Sequence, residues 1–198
     1  MSSVRIALAL SGLVAALAPA AASAAVDPNP VTPVPSLDVS RYLGTWRQVA
    51  AKPQWFEAAC KRDVYANYVL NADGSVRVTN TCSGPLSRTI TTVGKARILD
   101  TTTNAQLQVS FIDVFGTWVY PGSTPNYVVV GLDPGYGWAV VGDPARSSAF
   151  VLSRTASLTA TQRSQVTAAL VKNGFDPCSL QVTPQTGGAT TAGQFCAA

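Results

Sequence analysis

The chain reads Tyr42-Leu43-Gly44-Thr45-Trp46 where its first β-rich run begins, and Leu152-Ser153-Arg154-Thr155 where its last one ends. In an eight-stranded barrel the first and last strands are neighbours, so these two motifs would meet. Trp46 would then plug one end of the barrel with the Arg154 guanidinium over its ring, a cation–π contact worth about 0.5–2 kcal/mol. Gly44 belongs to the same predicted closure. The alternative is a core tryptophan and an unrelated surface arginine.

Antiparallel strands are predicted between the two motifs. The clearest hairpin joins residues 64–70 to residues 75–80 through Asn71-Ala72-Asp73-Gly74, where the Asp-Gly pair supplies the positive φ of a tight turn. Further β-branched and aromatic runs occupy residues 45–51, 88–99, 105–111, 126–132, 138–142 and 149–154. Gly, Pro, Asn and Asp separate these runs, which is typical of an all-β domain. The pattern predicts eight strands.

A single helix is expected after the last strand, because the apolar spacing changes there. Thr159 and Gln162 have the spacing of a capping box, and Gly174 stands where a C-terminal cap belongs. Between them, apolar residues recur at helical spacing at Val166, Ala169 and Leu170. We predict one C-terminal α-helix of about 14 residues, packed on the outside of the sheet.

The first 36 residues divide into two segments. Residues 1–24 combine Arg5, an apolar run and a terminal Ala22-Ser23-Ala24, which is typical of a cleaved signal peptide. The alternative, a membrane anchor, would need about 20 uninterrupted apolar residues. Residues 25–36 contain four prolines and suit an extended leader without core contacts. The product is predicted to be secreted or periplasmic, with no stable membrane anchor.

Export allows the four cysteines, Cys60, Cys82, Cys178 and Cys196, to be interpreted as two disulfides. Cys60 and Cys82 flank the predicted hairpin, and Cys178 and Cys196 bracket the C-terminal tail. This favours pairing of sequence neighbours, although crossed pairs are compatible with the sequence.

Composition excludes several kinds of chemistry. The 198 residues contain no His, which excludes Ser-His-Asp and Cys-His catalysis and His-ligated zinc or haem. We therefore predict no catalytic site, metal or other cofactor. The net charge of +4 comes from scattered Lys and Arg and from scarce acids, so nucleic-acid binding is not expected.

The order of these features resembles the lipocalin family. The first motif, the pair Asp133 and Tyr136 between two strands, the second motif and one following helix occur in the family's sequence. Residues 38–57 and 138–155 look most like the bacterial branch related to apolipoprotein D, but the lipid-attachment Cys of some bacterial relatives is missing. The resemblance implies an eight-stranded antiparallel up-and-down β-barrel over residues 37–183, open at one end and followed by a disulfide-tied tail, 184–198.

If the barrel forms, strand alternation predicts which side chains line its cup. Phe56, with Trp55 and Glu57, is expected in the long loop at the mouth. The predicted ligand-binding residues are Phe56, Ala66, Tyr68, Val78, Asn80, Leu107, Val109, Phe111, Tyr127, Val129, Val141 and Phe150, with Ser148 on the same face. In the alternative, these side chains fill the barrel and leave no cavity.

The resemblance and the apolar cup together suggest an exported protein that binds a small hydrophobic molecule for transport, storage or scavenging. A fatty acid or lysophospholipid fits, since each buried methylene contributes roughly 0.8 kcal/mol. One alternative is contact with another macromolecule through Trp55, Phe56 and Trp118. The other is a lipocalin-type isomerase that uses Cys60 or Cys82 as a cavity thiol, but no His is present to activate it.

Overall fold

The computed structural model describes residues 30–197. The predicted signal peptide and the start of the proline-rich leader lie outside the described residues. In chain order the strands are β1 (Gly44–Ala51), β2 (Arg62–Leu70), β3 (Val76–Ser83), β4 (Thr89–Ile98), β5 (Gln106–Ser110), β6 (Asp113–Val114), β7 (Thr117–Trp118), β8 (Tyr127–Leu132), β9 (Trp138–Gly142), β10 (Ala149–Ser153) and β11 (Gln181–Val182). The helices are α1 (Val39–Tyr42) and α2 (Ala160–Lys172), and single 3₁₀ turns lie at Trp55–Glu57, Pro85–Ser87, Pro177–Ser179 and Phe195–Ala197.

Eight of these strands close into a barrel. Each pairs antiparallel with its neighbour in the order β1-β2-β3-β4-β5-β8-β9-β10, and β10 pairs back with β1 through Arg47 opposite Ser153 and Gln48 opposite Leu152. Closure leaves no free edge among the barrel strands. The predicted eight-stranded barrel is confirmed.

The β2–β3 hairpin shows how the sequence sets the inner face. Gly74 has φ 78°, which the tight turn requires. Tyr68 pairs with Val78 and both side chains are buried, whereas Val69 and Arg77, the next pair, are exposed. Strict alternation therefore points one row of side chains into the barrel and the other into water.

The buried apolar side chains form two cores, one inside the barrel and one between the barrel and α2. Val128 and Val130 of β8 and Val140 of β9 point outward and pack with Val166 and Leu170 of the helix. Strands covered on both faces need apolar residues at successive positions, which explains the continuous apolar runs in β8 and β9.

Helix α2 begins and ends as its sequence predicts. The Thr159 hydroxyl accepts from the Gln162 backbone N–H, and the Gln162 side chain accepts from the Thr159 N–H, so the capping box is formed. Gly174 has φ 72°, and the Phe175 N–H donates to the Leu170 carbonyl beyond the last turn.

Within the described part of the chain, no helix combines the length and apolar character needed to cross a membrane.

The expectation of a leader without core contacts is wrong for residues 30–36. The Val34 N–H donates to the Val129 carbonyl over 2.8 Å, and the Val31 and Val34 side chains pack against the two cores. Two valines placed between the prolines bury apolar surface that composition alone does not reveal.

The segment that follows α2, including the C-terminal tail, extends the barrel wall. Strand β11 pairs with the end of β1, at Ala50 and Ala51, where β2 has moved away. The buried Gln185 side chain donates to the carbonyls of Gln48 and Val64, at 2.9 Å each, and so bridges β1 and β2. The pairing of neighbouring cysteines is confirmed: Cys60 is bonded to Cys82, and Cys178 to Cys196.

Candidate functional site

The first and last barrel strands bring the two sequence motifs together at one end. The Arg154 Cζ lies 3.8 Å from the centroid of the fully buried Trp46 ring. The guanidinium also donates to the carbonyls of Thr45, Arg41 and Leu43 at 2.8–2.9 Å, and the Trp46 Nε1–H donates to the Tyr42 carbonyl. These contacts close this end of the barrel, as the motifs predict.

The barrel contains a cavity of about 410 Å³. Its wall includes ten of the twelve predicted ligand-binding side chains: Phe56, Ala66, Tyr68, Val78, Asn80, Leu107, Val109, Phe111, Tyr127 and Phe150. Ser148 and Glu57 also line it, whereas Trp55 does not. A volume of this size matches cavities that hold small molecules, and the alternative of a barrel filled by its own side chains does not apply.

Val129 and Val141 are the exceptions. Both point into the barrel, but they belong to the buried inner core with Trp46 and Ala139 and do not line the cavity. Alternation gives the face of a strand correctly and does not give the height along the barrel axis. At their level the interior is occupied by core side chains.

The cavity wall also contains residues that the sequence analysis did not select. Six of them line it from barrel strands: Gln48, Val64, Tyr65, Val76, Ala96 and Leu152. Val64, Val76 and Leu152 lie on the same strand faces as predicted residues, so alternation applied to every position of those strands finds them. Further lining residues come from segments outside the strands, and they are Leu37, Val39, Tyr42, Leu43, Gln54, Asn126, Asp143 and Ser147.

Aromatic side chains surround the mouth. In the loop after β1, Trp55 is 86% exposed and Phe56 is 55% exposed, and their rings meet edge to face. Phe111 follows β5 and is 45% exposed, while Trp118 is partly exposed in the short β6–β7 hairpin. The rim is therefore apolar on two sides.

A carboxyl group faces the cavity near these aromatics. Glu57 lines the wall, and its Oε2 accepts from Gln48 Nε2 at 3.0 Å. Burial raises the pKa of Glu57, and the Gln48 hydrogen bond opposes that shift only in part. The Gln48 amide also donates to the Thr183 hydroxyl, so the C-terminal segment helps to fix the carboxyl.

A second carboxyl of the wall, Asp143, is fully engaged by its own loop. It accepts from the Ser148 and Ser147 hydroxyls at 2.8 and 3.0 Å and from the Ala145 N–H at 3.1 Å. Burial raises the pKa of Asp143, but hydrogen bonds from the Ser148 backbone N–H and from the Ser148 and Ser147 hydroxyls outweigh burial and hold the pKa below its ordinary value. Asp143 thus shapes the β9–β10 turn at the mouth.

Three tyrosines form a polar cluster in the cavity wall. The Tyr127 hydroxyl lies 2.8 Å from that of Tyr42 and 3.0 Å from that of Tyr68. The Tyr42 ring stacks on the Tyr68 ring and also contacts Trp46, which places the cluster beside the closed end. Burial raises the pKa of Tyr68 to about 12 and those of Tyr42 and Tyr127 well above the ordinary value, so all three stay protonated at neutral pH.

The cysteines considered for isomerase chemistry are bonded to each other. Cys60 and Cys82 form a disulfide, and among the described residues no cysteine is free. Since the thiolate is the reactive form of cysteine, this pair has no nucleophile to offer in the oxidised protein.

Known proteins share this sequence and this barrel. The Lipocalin-like domain model matches residues 37–185. The outer membrane lipoprotein Blc of Citrobacter freundii is 34% identical over 174 residues, 87% of this chain and 93% of that protein. Temperature-induced lipocalin-1 of Arabidopsis thaliana is 32% identical over 152 residues, 77% of this chain and 81% of that protein.

Among solved structures, insecticyanin from the tobacco hornworm Manduca sexta has a TM-score of 0.63 at 16% identity, covering 83% of this chain and 93% of that chain. The major allergen Per a 4 from cockroaches has a TM-score of 0.57 at 19% identity, covering 76% and 89%. At such identities the likeness concerns the fold. With the domain match over most of its length, the chain belongs to the lipocalin family.

Proposed function

We propose that this lipocalin is exported and binds one small hydrophobic molecule of the fatty acid or lysophospholipid class, which it transports, stores or scavenges. The observation that carries the proposal is the open cavity of about 410 Å³. Its wall is mainly aliphatic and aromatic, which favours a hydrocarbon chain over a polar solute.

The strength of such binding follows from the buried chain. Ten buried methylenes contribute roughly 8 kcal/mol before the costs of ordering and association are subtracted. The remainder corresponds to affinities of the order of micromolar. An apolar wall discriminates weakly between chains of similar size, so we expect several related lipids to bind.

Export is supported by two features. The two disulfides form and persist in oxidising compartments. Relatives from Citrobacter freundii and Escherichia coli are outer membrane lipoproteins, which are also exported proteins. We propose a periplasmic or secreted location for this chain.

The proposal is tested by titrating the purified, oxidised protein with cis-parinaric acid, a fatty acid that fluoresces in apolar surroundings. We expect saturation at one molecule per chain, with a Kd of the order of micromolar. An absence of saturable binding would overturn the proposed function.

Two phenylalanines near the mouth provide a matched pair of variants. Phe111 lines the cavity, whereas Phe115 is fully exposed and does not. Phe111→Asp places a charge at the cavity wall and should weaken binding roughly tenfold, while Phe115→Asp should leave the Kd unchanged. Equal effects of the two substitutions would place the ligand outside the cavity.

A second candidate function is contact with another macromolecule at the mouth, supported by the exposure of Trp55 and Phe56. Sedimentation over a concentration series tests self-association through this rim. A dimer that is lost in Trp55→Ser, together with an absence of parinaric acid binding, would favour this second function over the first.

A further inference from the structure

The three tyrosine hydroxyls meet inside the barrel. Tyr42 comes from α1, Tyr68 from β2 and Tyr127 from β8, so their common contact point lies between elements on different sides of the cavity. All three residues line the cavity. The cluster is therefore part of the surface that a bound molecule would touch.

The cluster has hydrogen-bonding capacity to spare. Three hydroxyls carry three protons, and the two contacts between them use two. Within the described residues these oxygens have no other hydrogen-bond partner. One O–H and several lone pairs are consequently left for a group that enters the cavity.

We propose that the closed end of the cavity is a polar subsite, in which the hydroxyls of Tyr42, Tyr68 and Tyr127 bind an uncharged oxygen at the far end of the ligand. The preferred ligand is then an acyl chain that carries a hydroxyl or carbonyl at its tail, rather than a plain hydrocarbon tail. This inference rests on the proposed function, because it assumes that a lipid occupies the cavity.

The charges around the cavity favour an uncharged oxygen at this position. The nearby Arg154 guanidinium lies over Trp46 and donates to three backbone carbonyls. Its N–H groups are therefore directed to the backbone and not to a ligand in the cavity. Among the described lining residues the ionisable acids are Glu57 and Asp143, and no Lys or Arg is present. An ionised carboxylate head is best accommodated at the mouth, in water, with the tail directed inward.

The closed end of the cavity determines whether a hydroxyl at the tail of the ligand weakens or strengthens binding. A hydroxyl carried into an apolar pocket loses its hydrogen bonds to water and binds less tightly. At the tyrosine cluster the same hydroxyl recovers a donor and an acceptor, which corresponds to a gain of about three- to tenfold over the unpartnered case.

The test compares two probes that differ by one oxygen, hexadecanoic acid and ω-hydroxyhexadecanoic acid, by displacement of cis-parinaric acid from the oxidised protein. We expect the hydroxy acid to bind at least as tightly as the parent acid. Weaker binding of the hydroxy acid by tenfold or more would overturn the polar subsite, while parinaric acid binding would still support the proposed function.

Variants of the cluster locate the effect. Tyr127→Phe should weaken the hydroxy acid about three- to tenfold and leave hexadecanoic acid unchanged, because only the central hydroxyl is removed. Tyr68→Phe should act in the same direction and serves if the first variant folds poorly. Tyr120→Phe is the control. It removes the hydroxyl of a tyrosine whose ring contacts Arg97 and which does not line the cavity.

The variants also distinguish the orientation of the chain. If Tyr127→Phe weakens hexadecanoic acid as much as the hydroxy acid, the carboxyl head occupies the closed end and the proposal is wrong. If Tyr127→Phe leaves the affinities of both probes unchanged, the oxygen does not reach the cluster and the proposal is also wrong.

Discussion

A single arginine joins the two ends of the barrel sequence. Arg154 follows the last barrel strand, yet its guanidinium contacts the ring of Trp46 and the carbonyls of Thr45, Arg41 and Leu43. One side chain thus contacts the first strand, at Thr45 and Trp46, and the helix before it, at Arg41. Because the hydrogen-bond partners of Arg154 are backbone carbonyls, removal of the guanidinium leaves these acceptors unpaired.

We therefore expect Arg154→Gln to lower the free energy of unfolding by about 2–4 kcal/mol, from the lost cation–π contact and charged hydrogen bonds. Urea unfolding followed by tryptophan fluorescence measures this loss. Arg77→Gln, at an exposed position of β3, is the control and should change stability by less than about 0.5 kcal/mol. Equal losses in the two variants would show that Arg154 does not close the barrel.

Glu57 gives a prediction that depends on pH. Its pKa is raised in the folded protein by burial, so ionisation of Glu57 opposes folding at pH values above that raised pKa. Below the ordinary pKa of 4.5 the group is protonated in both states and the penalty disappears. Glu57→Gln keeps an acceptor for Gln48 and removes the charge.

The expected result is a higher Tm for Glu57→Gln than for the unaltered protein at pH 7, and a difference that shrinks towards zero as the pH falls below 4. Calorimetry at the two pH values measures it. The titration of the other carboxyls is common to both proteins and cancels in the comparison. A Tm difference independent of pH would contradict a desolvated Glu57.

At the scale of elements, the strands were predictable because their signals are local. Val69 and Arg77 alternate with Tyr68 and Val78, and Gly74 supplies the turn between them. Helix α2 was predictable for the same reason, since a capping box needs only Thr159 and a residue three positions later.

The cavity was predictable in part. Alternation identifies inward side chains, but the height of a residue depends on register and on irregularities, such as the shift between Val129 and Gly131 in β8. Val129 points inward but belongs to the buried inner core and does not line the cavity. Tyr42 could not be found by alternation, because it belongs to a helix that covers the barrel end.

The tail was the least predictable element. Gln185 lies beyond the helix, and a polar residue there has no local reason to be buried, yet its side chain bridges β1 and β2. The contacts that bury it join residues more than 120 positions apart in sequence. No short pattern encodes such a contact.

This bridge can be tested directly. Gln185→Leu leaves the carbonyls of Gln48 and Val64 without their donor and should lower the free energy of unfolding by about 1–3 kcal/mol in urea. Gln194→Leu makes the same change at an exposed position of the same tail, and we expect little effect. If the exposed substitution is as harmful as the buried one, the bridge is not what stabilises the tail.

For the whole molecule, one disulfide, Cys60–Cys82, joins the loop before β2 to β3, and the other, Cys178–Cys196, joins the C-terminal tail to the segment after α2. Cys178 and Cys196 are 18 positions apart in sequence, and β11 and Gln185 lie between them. In the chain-entropy description, a loop of this length contributes about 3 kcal/mol. The Cys178→Ser/Cys196→Ser double variant should lose that amount in urea unfolding, whereas a loss below about 0.5 kcal/mol would show that β11 pairing alone holds the tail.

The barrel combines a closed end, an open apolar end and an internal cavity of about 410 Å³, and the proposed binding of one lipid molecule rests on these three features. Native mass spectrometry of the oxidised protein, incubated with excess hexadecanoic acid and freed of unbound lipid, tests that claim most directly. We predict a saturated population carrying one added fatty acid mass, which is lost when the protein is denatured. A native mass equal to that of the polypeptide alone, or a random series of several adducts, would contradict it.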